Sequence, residues 1–162
     1  MNRRNFLGLG LGVAAATLVP SSLSAIDFRA TKPKAFSAKK VDEAIKALFG
    51  KSATKSGEVK VKGPDIAENG AVVPIQVTSK LAGKTVAVFQ DANPEATVAV
   101  FTVPANGIID YKLRIKMSKT GAVSAVVEAD GKLHMASKTI KVTAGGCGGW
   151  FNPLTNVKKT IN

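Results

Sequence analysis

Between residues 58 and 143 the chain alternates apolar and polar positions in short runs, and such alternation predicts half-buried β-strands. The candidate strands are 58–62, 72–78, 84–90, 97–103, 110–117, 122–128 and 132–143. In 110–117 the pattern is clearest: Tyr111, Leu113, Ile115 and Met117 fall on one face, and Lys112, Arg114 and Lys116 on the other. One face is therefore buried and one wet. Turn residues separate the runs, at Asn69-Gly70, Ala92-Asn93-Pro94, Ala105-Asn106-Gly107, Thr120-Gly121 and Asp130-Gly131. The Asp-Gly pair is a tight-hairpin signal. Pro74 cannot donate to a ladder, so its run is expected at an edge or a bulge. Ahead of the strands, residues 37–49 change period: Val41, Ala44, Ile45 and Leu48 repeat at helical spacing, Ser37 is the expected N-cap, and Gly50 the stop. The apolar face of this helix is expected to cover the end or flank of a sheet, with Lys39, Lys40 and Lys46 on its solvated side.

Seven short strands joined by turns imply an all-β, immunoglobulin-like antiparallel β-sandwich, with one N-terminal amphipathic helix and a Gly-rich C-terminal arm. At 162 residues there is room for one domain with a modest core. Aromatics make up only 6% of the chain, so that core relies on Val, Ile, Ala and Leu, residues that suit sheet. No repeat or linker divides it. The expected division is a leader over 1–25, the helix and sandwich over 26–143, an arm over 144–149 and a tail over 150–162.

The leader has three parts: Arg3-Arg4 followed by Asn5-Phe6-Leu7, an apolar run to Val19, then Pro20 and small residues to Ala25. This layout predicts export by the twin-arginine route, followed by cleavage, and hence a periplasmic protein. An apolar run of about 14 residues is short of the ~20 that cross a bilayer. The Gly-rich "GLGLG" at 8–12 cannot be a dinucleotide-binding turn, since no strand precedes it.

The formal charge of +12 points to nucleic acid, small anions or an acidic partner, and export weighs against the first. Export also changes the meaning of the single cysteine, Cys147, because structural cysteines in an oxidising compartment come in pairs. One histidine and one cysteine supply no metal-ligand spacing, and neither a serine-hydrolase elbow nor a P-loop is present. His134 falls within a predicted strand, where a structural role is the simpler reading. Cys147 stands between Gly145-Gly146 and Gly148-Gly149, four residues without a Cβ, whose backbone can approach another surface closely. From a strand ending near Val142 or Thr143, an extended arm carries the sulfur ~15 Å outward at 3.3–3.6 Å per residue. A thiol with an ordinary pKa near 8.5 is a minority thiolate at neutral pH, and nearby cations increase that fraction. Three readings fit: a thiol presented to other proteins, a binding or structural module whose cysteine is incidental or forms an intermolecular disulfide, and a thiol enzyme with His134 as base. Strand 132–143 could bring His134 near the root of the arm, but nucleophilic catalysis needs a fixed thiol–base geometry that flanking glycines do not provide.

The segments "KVTAGGCGG" at 141–149, "IAENGAVVPIQV" at 66–77, "NPEATVAVFTV" at 93–103 and "LRIKMSKTGAVSAVVEADGKLHMAS" at 113–137 resemble the SoxY family, the carrier subunits of Sox thiosulfate oxidation. The resemblance implies that Cys147 is the covalent attachment site and that Gly145, Gly146, Gly148 and Gly149 form its arm. It further implies a non-catalytic carrier without a cofactor of its own, bearing thiosulfate-derived sulfur. The implied partners are a SoxZ-like sandwich subunit in a heterodimer, a haem-containing loading enzyme and a sulfate-releasing hydrolase. One departure stands out: the family's pentapeptide typically ends the chain, whereas here "WFNPLTNVKKTIN" follows, with Trp150 and Phe151 bulky enough to impede entry into a narrow channel.

Overall fold

The period-two segments fold into two stacked sheets in a computed structural model that describes residues 26–143. The chain enters through three helices, α1 (Phe28–Thr31), α2 (Pro33–Ser37) and α3 (Val41–Phe49). Nine strands follow: β1 (Thr54–Lys55), β2 (Val59–Lys62), β3 (Ile66–Ala67), β4 (Val73–Ser79), β5 (Thr85–Gln90), β6 (Thr97–Thr102), β7 (Ile109–Ile115), β8 (Gly121–Ala129) and β9 (Lys132–Val142). The larger sheet runs β1-β9-β8-β5-β6, with β3 also on β9, and the smaller runs β2-β4-β7. The all-β, immunoglobulin-like sandwich is thus present. All seven predicted strands are found, and two short ones, β1 and β3, join them as parallel partners of β9.

Alternation explains how the sheets meet. Val59, Val73, Ile75, Val77, Ile109 and Ile115 of the smaller sheet pack against Val86, Val88, Val123, Ala125, Val127 and Ile140 of the larger. At one side the rings of Phe101 on β6 and Tyr111 on β7 stack with centroids 4.8 Å apart, closing the gap between the sheets. The other face of the smaller sheet is wet, as the 110–117 pattern predicts: Asp110, Lys112 and Arg114 are exposed beside buried or half-buried Ile109, Tyr111, Leu113 and Ile115. The larger sheet behaves differently. Ala87, Phe89, Val126 and Leu133 point away from the sandwich and meet Ala35, Ala44, Ile45 and Leu48 of the helices. Both faces of β5 are consequently dry, and five of its residues in succession, Val86 to Gln90, are buried.

The helices cover a face of the larger sheet rather than an end or flank. Ser37 is not the N-cap of α3: it closes α2, and the cap position falls to Lys40, whose side chain makes no capping bond. The reason lies upstream, where Asp27 accepts hydrogen bonds from the amides of Arg29 and Ala30, and Pro33 opens α2. That start brings Ser37 into a helix of its own. Gly50 ends α3 in the left-handed region (φ 73°), as expected of a C-cap glycine. Asp130 and Gly131 adopt φ of 49° and 72°, the two positive values that a two-residue β8–β9 hairpin requires. Pro74 sits in the middle strand of its sheet, not on an edge strand. It is tolerated because β2 pairs only as far as Gln76, so β7 alone runs beside Pro74.

Candidate functional site

The described residues end where the arm begins, so the site is built here from its root; Cys147, its four glycines, the leader and the tail lie outside the described residues. β9 brings the chain to this point and several segments fasten it there. The Lys141 amide donates to Asp65 O at 2.9 Å and the Thr143 amide to Ala67 O at 3.1 Å, which makes β3 a clip on the last turn of the ladder. The Val142 amide donates to Thr120 Oγ1 at 2.9 Å, a bond from the β7–β8 turn. Lys138 Nζ meets Asp65 Oδ1 at 2.7 Å. This hydrogen bond, with the charge behind it, holds the Asp65 carboxyl below its ordinary pKa of 3.8. Gly70 packs so closely against Val142 that a Cβ on it would stand 2.9 Å from Val142 Cγ1. The Asn69-Gly70 turn is pinned in turn by Met117, whose amide donates to Gly70 O at 2.8 Å. Ile66, directly opposite Lys141 in register, remains 56% exposed, and so does Val72 ahead of β4, at 51%.

His134 is at the other end of the same strand. Half-buried, it places Nδ1 3.2 Å from Ser56 Oγ and is flanked by Thr54 on β1 and Val127 on β8. At ~3.3 Å per strand residue, His134 and Thr143 lie about 30 Å apart. Four extended residues from Thr143 to Cys147 span at most about 14 Å. The expectation that strand 132–143 brings His134 near the arm's root is therefore overturned by the direction of β9, and a Cys147–His134 pair within one chain is beyond reach. His134 is instead held near the start of β9 by its contact with Ser56.

Other chemistry is sparse. No cluster of three metal-ligating side chains occurs among the described residues. Two open clefts share Met135 of β9: one of about 270 Å³ against α3 and Ser52-Ala53, the other of about 350 Å³ against residues 55–57. No helix among the described residues is long and apolar enough to cross a membrane. Part of the positive charge collects on one face: Lys60, Lys62, Lys112 and Arg114 are all exposed, at outward-facing positions of the smaller sheet. Lys62, Gln76 and Lys112 form one cross-strand row, and Arg114 faces Pro74 in the next. The single carboxylate in this block, Asp110, accepts a hydrogen bond from Gln76 Nε2 at 2.6 Å.

A family model described as "Sulfur oxidation protein SoxY" matches residues 45–147, well over half of the chain and up to the cysteine itself. The chain belongs to the SoxY family. Among solved structures it is similar to the sulfur carrier protein SoxY from Chlorobium limicola f thiosulfatophilum, at 41% identity, over 67% of this chain and 96% of that one, with a TM-score of 0.59. It also overlaps a superoxide reductase (neelaredoxin) from Ignicoccus hospitalis, at 15% identity over 52% of this chain and 80% of that one, with a TM-score of 0.48. That second likeness is too slight to bear on function. No curated protein matches the chain. SoxY membership places this protein among sulfur-oxidation carriers rather than catalysts. The residues that fasten the root, Asp65, Ala67, Gly70 and Thr120, carry no sequence signal of that role, since each acts through a contact made at long range.

Proposed function

We propose that this SoxY-family chain carries thiosulfate-derived sulfur covalently on Cys147 and presents it, on the arm of Gly145, Gly146, Gly148 and Gly149, to periplasmic enzymes after twin-arginine export. The observation that carries the reading is the family match, which runs through the sandwich and ends on Cys147. Loading joins the Cys147 sulfur to the outer sulfur of thiosulfate. A disulfide-type S–S bond forms, the thiol proton is lost, and two electrons leave to a haem-containing partner. Hydrolysis then adds water across the bond to the sulfonate: sulfate departs with two protons, and a persulfide anion stays on the cysteine. Each species is anionic, which suits the exposed cations of the smaller sheet. A tether raises the effective concentration of the bound sulfur at each enzyme it visits. The carrier works as a heterodimer with a SoxZ-like sandwich subunit and needs no cofactor of its own.

Intact mass measurement of the protein, exposed to thiosulfate and the loading enzyme, tests this reading. Expected are reductant-sensitive additions of thiosulfate or sulfur mass that disappear in Cys147→Ser. A single unmodified mass would refute the carrier reading, and a disulfide-linked dimer alone would favour a structural module. The same spectrum locates the cut after the leader and shows whether residues 150–162 are retained.

A further inference from the structure

We propose that β6, at the edge of the larger sheet, is the strand on which a partner sandwich joins this chain, by adding its own edge strand to Val100 and Thr102 and setting carboxylates against Lys112 and Arg114; this rests on the heterodimer of the carrier reading above. A strand at the end of a sheet leaves a row of backbone donors and acceptors open to pairing, and charged side chains, prolines or short length commonly blunt it. The other edges among the described residues are blunted in this way. β2 exposes Lys60 and Lys62, and β7 exposes Asp110, Lys112 and Arg114. The far side of the larger sheet ends in β1 and β3, of two residues each, with Lys138 of β9 between their pairings. β6 has no such guard: Thr97–Thr102 runs Thr-Val-Ala-Val-Phe-Thr, without charge, proline or glycine, and pairs with β5 alone.

The start of β6 is taken up by the helical segment, where the Ala96 amide donates to Ala38 O at 2.9 Å and Thr97 Oγ1 donates to Ala35 O at 2.6 Å. After a register shift opposite Val88 and Phe89, the ladder is regular from Ala99 to Thr102. The Val103 amide donates to Lys84 O, so alternation turns the amides and carbonyls of Ala99 and Phe101 toward β5 and those of Val100 and Thr102 outward. Neither outward residue makes a further backbone hydrogen bond among the described residues. The stacked rings of Phe101 and Tyr111, 4.8 Å apart, set the β7 edge beside the β6 edge. Val98, Phe101, Tyr111 and Leu113 pack on the core yet stay half-buried, on the two strands where the sheets stop.

Charge decides between a second copy and a different chain. A twofold axis that pairs β6 with β6 of a second copy keeps both smaller sheets on one side of the joined sheet and turns β7 toward β7. Lys112 and Arg114 would then approach their own images, in a chain of net charge +12, and like charges so placed repel. Asp110, the carboxylate of this edge, offers little relief because it is already bonded to Gln76 Nε2. The partner that fits both features has an uncharged edge strand and Asp or Glu on the sheet beside it.

The test uses the full chain and its co-expressed sandwich partner. Amide hydrogen exchange reads the backbone directly: Val100 and Thr102 should exchange freely in the isolated chain and slow by about tenfold or more in the complex. Thr102→Pro deletes an outward amide beneath an exposed side chain, costs no β5 bond, and should raise Kd for the partner about tenfold. Lys112→Glu with Arg114→Glu should raise Kd by about the same factor at low salt and by less at high salt. Lys60→Glu with Lys62→Glu makes the same charge change on the far edge of the same sheet and should stay within about twofold of the wild type. Should Thr102→Pro melt early, Thr102→Lys blunts the edge without altering the backbone and is expected to weaken the complex in its place. Amides of Val100 and Thr102 that stay unprotected in the complex overturn the proposal, as does an equal effect of the two charge reversals. If those amides are protected in the isolated chain and the chain sediments as a dimer, the edge belongs to a second copy and the proposal fails. A wild-type chain that binds no sandwich partner refutes the heterodimer itself, a different failure from a complex formed through another surface.

Discussion

Gly70→Ala is the most telling single change at the root of the arm, because it introduces one methyl group and leaves every charge and hydrogen-bonding atom in place. The added Cβ would meet the Met117 carbonyl oxygen well inside contact distance and Val142 Cγ1 at 2.9 Å. A rotamer change at Val142 could relieve the second contact. The first is with backbone and cannot be relieved so cheaply. The 69–72 turn must therefore move off the 115–118 segment, stretching the 2.8 Å bond from the Met117 amide to Gly70 O. Overpacking of this kind costs about 1–3 kcal/mol, and a weakened backbone bond adds ~1 kcal/mol. We take 2–3 kcal/mol as the working figure. For a folded domain of roughly 120 residues, unfolding entropy near 2.1 cal/mol/K per residue converts it to a Tm lowered by about 8–12 °C. Thermal unfolding followed by circular dichroism measures this. Gly57→Ala is the control, since a Cβ there meets nothing within 4 Å and its φ is not in the left-handed region. That variant should be neutral, or more stable by a few tenths of a kcal/mol through the unfolded chain. Hydrogen exchange sharpens the comparison: the amides of Met117 and Val142 should exchange faster in Gly70→Ala and not in Gly57→Ala. If Gly70→Ala melts within a degree or two of the wild type, the close packing of turn and root described here is wrong.

Three further outcomes are expected. Phe89→Ala, at a fully buried ring between β5 and the helices, should cost about 3–5 kcal/mol in urea unfolding, whereas Ile108→Ala should stay within ~0.5 kcal/mol. Lys138→Ala should raise the Asp65 pKa, read by NMR titration, back toward 3.8. Because the folded pKa is the lower one, the pair's stabilisation is present above 3.8 and is lost as pH falls through the folded value, so the deficit of Lys138→Ala should shrink in acid. His134→Ala should leave the alkylation rate of Cys147 unchanged across neutral pH, and a slower rate would revive a histidine-assisted thiol.

What could be read from the chain beforehand divides along the range of the interactions. Strands 84–90, 97–103 and 110–117 are legible because alternation and turn residues act within a few positions, and Asp130-Gly131 dictates its hairpin by local backbone preference. The pairings of β1 and β3 with β9 are not. Two residues carry no period, and Thr54 finds His134 only once the intervening sandwich has formed. Ser37 misleads for a related reason: serine is a good cap anywhere, but Asp27 and Pro33 had already started a helix that ends on it. β5 reads as an ordinary half-buried strand, although helices from the start of the chain dry its outer face. At the site, the cysteine and its glycines were visible at once, while Thr120 and Ala67, which fasten the root, are recognisable only through the bonds they make.

The direction of β9 does more than dispose of one catalytic pairing. It sets the chain's only histidine about 30 Å from the root of the arm. Among the described residues, the ionisable groups next to that root are Asp65, bound to Lys138, together with Glu68, Lys119 and Lys141. No imidazole stands among them to take a proton from the thiol. The lysines can favour thiolate through charge alone, and solvent screens that effect over the length of the arm. A thiol carried in such surroundings has little means of activating itself or of attacking its own bound sulfur. On the carrier reading this is an advantage, because a persulfide or thiosulfonate that reacts before it reaches the next enzyme is lost to the sequence of steps. Reactivity is then supplied by each enzyme in turn, and the sandwich contributes position: a fastened root and a measured reach.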